Sequence, residues 1–222
     1  MNYTKRLGLA AAGLLAAGAS LSVQAAFVVD GGSLQGLPVS GNDFNAQIGA
    51  LGFDQLASGA QLRVDQDGYI DFYYVGAESR YNNSFSAGGS GGSMSEHDDA
   101  FDFAGHASFS IAVSADDIVD FGFSSDNSSA SPVDNLSGIN LQGLGILFDS
   151  SSTTLAQVLL GYDDKAATGD GDFDDMLIRA DFRPALPGSD VVAAVPLPAA
   201  AGLFGAGLVG LVGVARRSRT RS

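Results

Sequence analysis

Between Ala26 and about Asp190 the sequence alternates apolar and polar residues in short runs, interrupted by clusters of Gly, Ser, Asn and Asp. Alternation puts every second side chain on one face of a strand, whereas a helix needs apolar residues three and four apart. In "AFDFAGHASFSIAV", Phe101 and Phe103, then Phe109, Ile111 and Val113, recur at period two. "AQLRVDQDGYIDFYYVG" holds two such runs about Asp67-Gly68, a dipeptide suited to a type I′ hairpin turn. "IVDFGF", "INLQGLGILFD", "LAQVLLGYD" and "DMLIRADF" supply further strands. The glycine- and serine-rich "SFSAGGSGGSMSE", Ser84 to Glu96, reads as a long flexible loop. No amphipathic helix of convincing length and no internal repeat interrupts this stretch. Many short strands with such punctuation predict an all-β fold, an antiparallel β-sandwich or jelly roll.

Charge divides the chain sharply. All 25 acidic residues lie between Asp30 and Asp190, with only Arg63, Arg80, Lys165, Arg179 and Arg183 to offset them, a net of −20 for that span. Such a body repels nucleic acid and anionic lipid, and favours cations or a matrix rich in them. The chain has no cysteine, which removes disulfides, thiolate metal sites and thiol catalysis together.

The two ends carry the remaining basic residues. Residues 1–25 combine Lys5 and Arg6, an apolar run from Leu7 to Leu21, and the small-residue triplet Val23-Gln24-Ala25. This is the pattern of a signal peptide cut by signal peptidase between Ala25 and Ala26. Residues 191–198 form a linker with a proline motif, and residues 199–215 are seventeen positions without a charge, five of them glycine. As a helix that run is about 25 Å long against a ~30 Å hydrocarbon core, a weak single span. Residues 216–222, with four arginines, form a basic tail that stays cytoplasmic. The acidic body, residues 26–190, is therefore expected outside the cytoplasmic membrane.

"VPLPAAAGLFGAGLVGLVGVARR" resembles the PEP-CTERM sorting signal in its Val-Pro-Leu-Pro-Ala variant. The proline motif falls on Val195, Pro196, Leu197, Pro198 and Ala199, and the basic cluster on Arg216 and Arg217. Leu197 stands where the name-giving Pro-Glu-Pro has glutamate. The resemblance implies recognition by exosortase, a membrane protease-transferase of bacteria that make exopolysaccharide. It further implies a transient inner-membrane anchor, followed by the cell surface or extracellular matrix of a Gram-negative cell. "YYVGAESRYNNSF" and "LLGYDDKAATGDGDFDDMLIRADF" are similar to stretches of ectodomains found with this signal. In those relatives the residue before the last aspartate pair is often histidine; here it is Phe173.

Two patterns that look catalytic lack their context. "GGSGG" around Ser90 has no helix after it, and "GAGLVG", Gly205 to Gly210, lies inside the apolar run. His97 lies beside Glu96, Asp98 and Asp99, the setting of a solvated surface histidine or of an acid-base or metal site. His106 reads as structural. Glu78, close to Arg80, Asn82 and Asn83, is expected to organise a loop by accepting backbone hydrogen bonds, with direct ligand binding as the alternative.

The densest feature is "GYDDKAATGDGDFDD", where Asp163, Asp164, Asp170, Asp172, Asp174 and Asp175 crowd into one loop. Asp170, Asp172 and Asp174 have the one-three-five spacing that aims alternate carboxylates at one point, so the loop is a candidate calcium site. The alternative is an exposed acidic turn that keeps a sheet end soluble. The expected function is non-enzymatic: a structural or adhesive protein of an exopolysaccharide layer. A carbohydrate-binding module is the main rival, marked by a ridge of exposed Tyr and Phe on one sheet face. A secreted hydrolase, marked by carboxylates facing across a cleft, comes third.

Overall fold

The computed structural model describes residues 26–89, 91–96, 100–105, 108–165 and 171–186. The signal peptide with Ala25, both histidines, Asp170, and the sorting tail with Val195, Pro196, Leu197, Pro198, Ala199, Arg216 and Arg217 lie outside the described residues. Among the described residues no helix is long and apolar enough to cross a membrane.

The chain is all-β and antiparallel. Its strands are β1 (Phe27–Gly36), β2 (Gln55–Val64), β3 (Gly68–Gly76), β4 (Asn83–Ala87), β5 (Gly92–Ser95) and β6 (Ser108–Val113). They continue with β7 (Phe121–Ser125), β8 (Val133–Asp134), β9 (Leu144–Phe148), β10 (Gln157–Tyr162) and β11 (Met176–Pro184); a short α-helix, α1 (Asn45–Ala50), precedes β2 and a 3-10 turn (Leu141–Gly143) precedes β9. Seven strands form one sheet in the order β1-β2-β9-β10-β11-β3-β6, and four form a second in the order β5-β4-β7-β8.

One core lies between the two sheets, and it is lined by rings. Phe85 of β4 lies 5.0 Å from Phe72 of β3 and 5.0 Å from Phe123 of β7, and Phe123 stacks on Tyr162 of β10 at 5.2 Å. Each such pair contributes roughly 0.5–1.5 kcal/mol beyond its buried area. A second apolar cluster covers the other face of the larger sheet, where α1 and the segment before β2 place Val39, Phe44, Ile48 and Phe53 over Leu147, Leu159 and Leu177. The middle strands are thus buried on both faces. That is why "LGILF" and "VLLGY" read as continuous apolar runs rather than alternating ones.

Three local expectations are corrected. β2 and β3 do not form a hairpin: β9, β10 and β11 lie between them, and Asp67 and Gly68 lack the positive φ of a type I′ turn. Gly68 is required for a different reason, since a Cβ there would meet the Arg183 carbonyl at 2.4 Å. The stretch from Ser84 to Glu96 is no open loop but the β4–β5 hairpin, because Phe85 and Met94 are buried and Gly88 and Gly89 take left-handed turn positions. Phe101 and Phe103 precede β6 outside any strand and pack onto the outer cluster, Phe101 5.3 Å from Phe44 and Phe103 6.1 Å from Phe53.

The far end of β2 joins the smaller sheet's side through Asn135, which is fully buried. Its Nδ2 donates to the carbonyls of Leu62 (3.0 Å) and Val119 (2.7 Å), and its Oδ1 accepts the Leu62 amide (2.9 Å). The side chain thereby extends the short pairing in which the Val119 amide donates to the Leu62 carbonyl at 3.0 Å and Arg63 bridges to Ile118. Asn135→Ala would strand the Leu62 amide and the Val119 carbonyl, so urea unfolding should show a loss of about 2–4 kcal/mol. Ser128→Ala, at an exposed position beyond β7, should change stability by less than about 0.5 kcal/mol. Equal effects of the two would show that Asn135 does not join the sheets.

Candidate functional site

The connection from β10 to β11 runs from Asp163 to Asp175, closed by the pair Tyr162–Met176. Its two legs are not open to water. Asp163, Asp164, Asp172, Asp174 and Asp175 are all buried, with exposures of 3%, 1%, 7%, 0% and 4%. A solvated acidic turn is therefore ruled out for these five residues.

What draws them inward is Phe173. Gly145 of β9 and Gly161 of β10 face each other in register, and together they leave a notch in the outer face of the larger sheet. Phe173 fills it: a Cβ on Gly161 would meet the Phe173 carbonyl at 2.3 Å, and one on Gly145 would meet its ring at 2.8 Å. The backbone at Phe173 takes the left-handed conformation, with φ of 59°. That reversal breaks the simple alternation of the flanking aspartates.

The one-three-five set is consequently not the one that converges. One carboxylate oxygen each from Asp163, Asp172 and Asp175 lie within 4.8 Å of one another. Asp174 faces another way, accepting the Asp43 amide at 2.6 Å on Oδ2, while its Oδ1 is buried without a hydrogen-bond donor. Asp164 accepts the Ser79 hydroxyl at 2.9 Å on Oδ2, and its Oδ1 has the Lys165 ammonium at 4.0 Å. Asp170 lies outside the described residues.

The main chain of this segment is held from four directions. Asn42 Nδ2 donates to the Asp172 carbonyl (2.8 Å), the Glu78 amide to the Asp174 carbonyl (2.8 Å), and Asn83 Nδ2 to the Asp175 carbonyl (3.0 Å). The Asp164 amide donates to Asp175 Oδ2 at 2.8 Å, tying one leg of the connection to the other. Glu78 was expected to organise this region with its carboxylate. Its side chain is exposed instead, and its backbone amide and buried Asn83 do that work. Asn42, Asp43 and the glycine notch had no local motif; the one available signal was glycine inside apolar strands, which marks a close approach.

Burial changes the acidity of two of these groups, and at Asp175 the Lys165 charge offsets it only in part. Desolvation pushes Asp174 up to about 8, the nearby Asp172 and Glu78 charges adding to it, and pushes Asp175 up to about 7. Tyr162 is also raised, first by burial and then by the Asp164, Asp175 and Asp163 charges.

Elsewhere, Tyr69 and Tyr73 lie half-buried on the outer face of β3, but neither ring is free for stacking. The Arg183 guanidinium lies 5.2 Å from the Tyr69 ring centre, and that of Arg179 4.1 Å from Tyr73. Arg183 is itself locked to both oxygens of Asp71 at 2.5 and 2.9 Å, and holds that carboxyl below its ordinary range. A groove of about 320 Å³ over the smaller sheet is lined by Ser86, Ser124, Asp120 and Asp134 among others. Hydrogen bonds from Ser137 hold the pKa of Asp134 below the ordinary carboxylate value, the opposite of what a general acid needs. The sequence matches no family model, and neither a curated protein nor a solved structure is significantly similar to it.

The raised groups set the sign of a pH effect in chelator-treated protein. Unfolded aspartates titrate near 3.8, so between about 4 and 8 the folded chain binds more protons than the unfolded one. Stability must then fall as pH rises through that window. The Tm of the full chain in chelator should decline from about pH 5 to about pH 8, and Asp174→Asn should flatten the decline. A Tm that climbs over the same range would contradict this electrostatic picture.

Proposed function

We propose that the chain is an exported, non-enzymatic surface or matrix protein whose ectodomain, residues 26–190, is a jelly-roll-like β-sandwich. The signal peptide of residues 1–25 directs it across the inner membrane, and the apolar run 199–215 holds it there transiently. Exosortase then recognises the proline motif and releases the acidic ectodomain toward an exopolysaccharide layer. The observation that carries this reading is the order at the C-terminal end: Val195 to Ala199, a glycine-rich apolar run, and Arg216-Arg217.

The two-sheet core and the paired surface charges support a structural or adhesive role. Guanidinium groups over Tyr69 and Tyr73 weigh against the carbohydrate-stacking alternative. The lowered pKa of Asp134 weighs against that carboxyl as the general acid of a hydrolase in the groove over the smaller sheet.

Intact-mass analysis of the protein from its native host tests this directly. The mature species should begin at Ala26 and lack Arg216 to Ser222. Replacing Pro196 and Pro198 together by alanine should leave the uncleaved form in the inner membrane. A dominant species that retains the arginine tail in the wild type would overturn the sorting reading.

A further inference from the structure

We propose that removal of the leader completes a charge pair in the fold: the α-ammonium created at Ala26 is held by the carboxylate of Asp65, and β1 is thereby locked onto β2. The inference rests on the signal-peptidase cut between Ala25 and Ala26 proposed above, and it supplies a partner for the chain end that the cut creates.

Asp65 is the first ground. It follows the last residue of β2 and is half-buried, yet its Oδ1 is sealed from water and has no hydrogen-bond donor. Such an oxygen is costly to leave alone. The charged side chain of β2 does not serve it, since the Arg63 guanidinium is taken by Asp30 at 3.0 Å and Asp116 at 3.9 Å. The segment beyond β2 brings only more negative charge: the Asp116 amide donates to the Val64 carbonyl at 2.9 Å, and the Val64 amide to the Asp117 carbonyl at 3.0 Å.

Register supplies the second ground. Phe27 pairs with Val64, so one further step along both strands sets Ala26 opposite Asp65. The Phe27 amide donates away from β2, to the Leu155 carbonyl at 2.8 Å. Backbone groups of successive strand residues point to alternate sides, so the Ala26 nitrogen points toward β2. The Ala26 carbonyl does the same, accepting the Asp65 amide at 3.1 Å. Residues facing each other in such a pair have Cα atoms about 5.5 Å apart, a gap that an aspartate side chain can span.

Chemistry supplies the third. Within a peptide bond the Ala26 nitrogen carries one N–H, fixed in the amide plane, and no charge. Hydrolysis breaks the C–N bond with one water, whose oxygen joins the Ala25 carbonyl carbon and whose two protons end on the Ala26 nitrogen. The resulting ammonium has three donors that turn about the N–Cα bond, so one can meet the Asp65 backbone carbonyl and another Oδ1. Ala26 is 2% exposed and Phe27 1%, so the new charge sits where water reaches it poorly and a carboxylate is its complement. Before the cut, Asp65 faces an amide; after it, each charge answers the other. The mature chain therefore carries a latch at the edge of the larger sheet that the precursor lacks.

The test compares the exported protein, purified after processing, with the uncut chain of residues 1–222 made without export. Mass spectrometry first establishes where the mature chain begins. The carbon-13 shift of the Ala26 methyl, followed against pH, then reports the titration of its amine. An exposed α-amine titrates near about 7.7–8.0. Held by Asp65, the Ala26 amine should titrate about one unit higher, a tenfold gain in proton affinity. Asp65→Asn should bring the midpoint below that of an exposed amine, because burial alone disfavours the charged form. In urea at about pH 7, Asp65→Asn should raise the unfolding constant of the mature chain about tenfold, and it should not destabilise the uncut chain. Because the folded midpoint lies above the unfolded one, this difference should vanish as pH rises toward about 10. A mature chain that begins elsewhere than Ala26 would overturn the cleavage reading and the pair with it. A chain that begins at Ala26 but whose amine titrates no higher than an exposed one, or is unmoved by Asp65→Asn, would overturn the pair alone. Should the mature Asp65→Asn chain fail to fold, the wild-type midpoint decides the matter by itself.

Discussion

Phe173 occupies a notch that Gly145 and Gly161 open in the outer face of the larger sheet, and the placement of the acidic segment follows from it. A ring buried there recovers roughly 1.5–3 kcal/mol of apolar transfer free energy, enough to hold a connection that charge repulsion alone would push into solvent. Because its neighbours in sequence are Asp172 and Asp174, seating the ring pulls carboxylates below the surface with it. The left-handed backbone at Phe173 then decides their directions, turning Asp172 and Asp175 toward Asp163 and Asp174 toward the Asp43 amide. Hydrophobic packing thus creates an electrostatic problem that the polar shell only partly resolves.

The two-sided burial of the larger sheet makes this possible. Its inner face is sealed by the ring ladder through Phe72, Phe85, Phe123 and Tyr162. Its outer face is covered by α1 and the segment around it, which also deliver Asn42 and Asp43 to the acidic end. The same layer that completes the apolar core therefore supplies the donors that hold Asp172 and Asp174. Core and candidate site are a single construction, and a change in the outer cluster will be felt at the carboxylates.

Much of the fold was legible as period-two alternation, most clearly in β3, where Ile70, Phe72 and Tyr74 face inward while Tyr69, Asp71 and Tyr73 do not. Strand neighbours were not legible. Asp67-Gly68 has hairpin composition, yet pairing is settled by long-range partners, and Gly68 is there because the Arg183 carbonyl lies against it. Ser84 to Glu96 looked like an open loop because small polar residues outnumber the two buried anchors, Phe85 and Met94, that make it a hairpin. At the acidic end, the crowding of aspartates was plain in the sequence, but the converging trio was not. Its members come from both legs of the connection, and the side chain that holds Asp172 in place, that of Asn42, is 130 residues away.

The central claim, that Phe173 in its glycine notch positions the acidic segment, can be measured by amide hydrogen exchange on Gly161→Ala. The added methyl would meet the Phe173 carbonyl at 2.3 Å, so the ring must leave its place. Asp43, Glu78 and Asp164 donate their amides to Asp174 Oδ2, the Asp174 carbonyl and Asp175 Oδ2, and these three should lose protection by about tenfold or more. The amides of Phe85 and Phe123 in the smaller sheet should keep theirs. Undiminished protection at Asp43, Glu78 and Asp164 in a folded Gly161→Ala protein would contradict the claim.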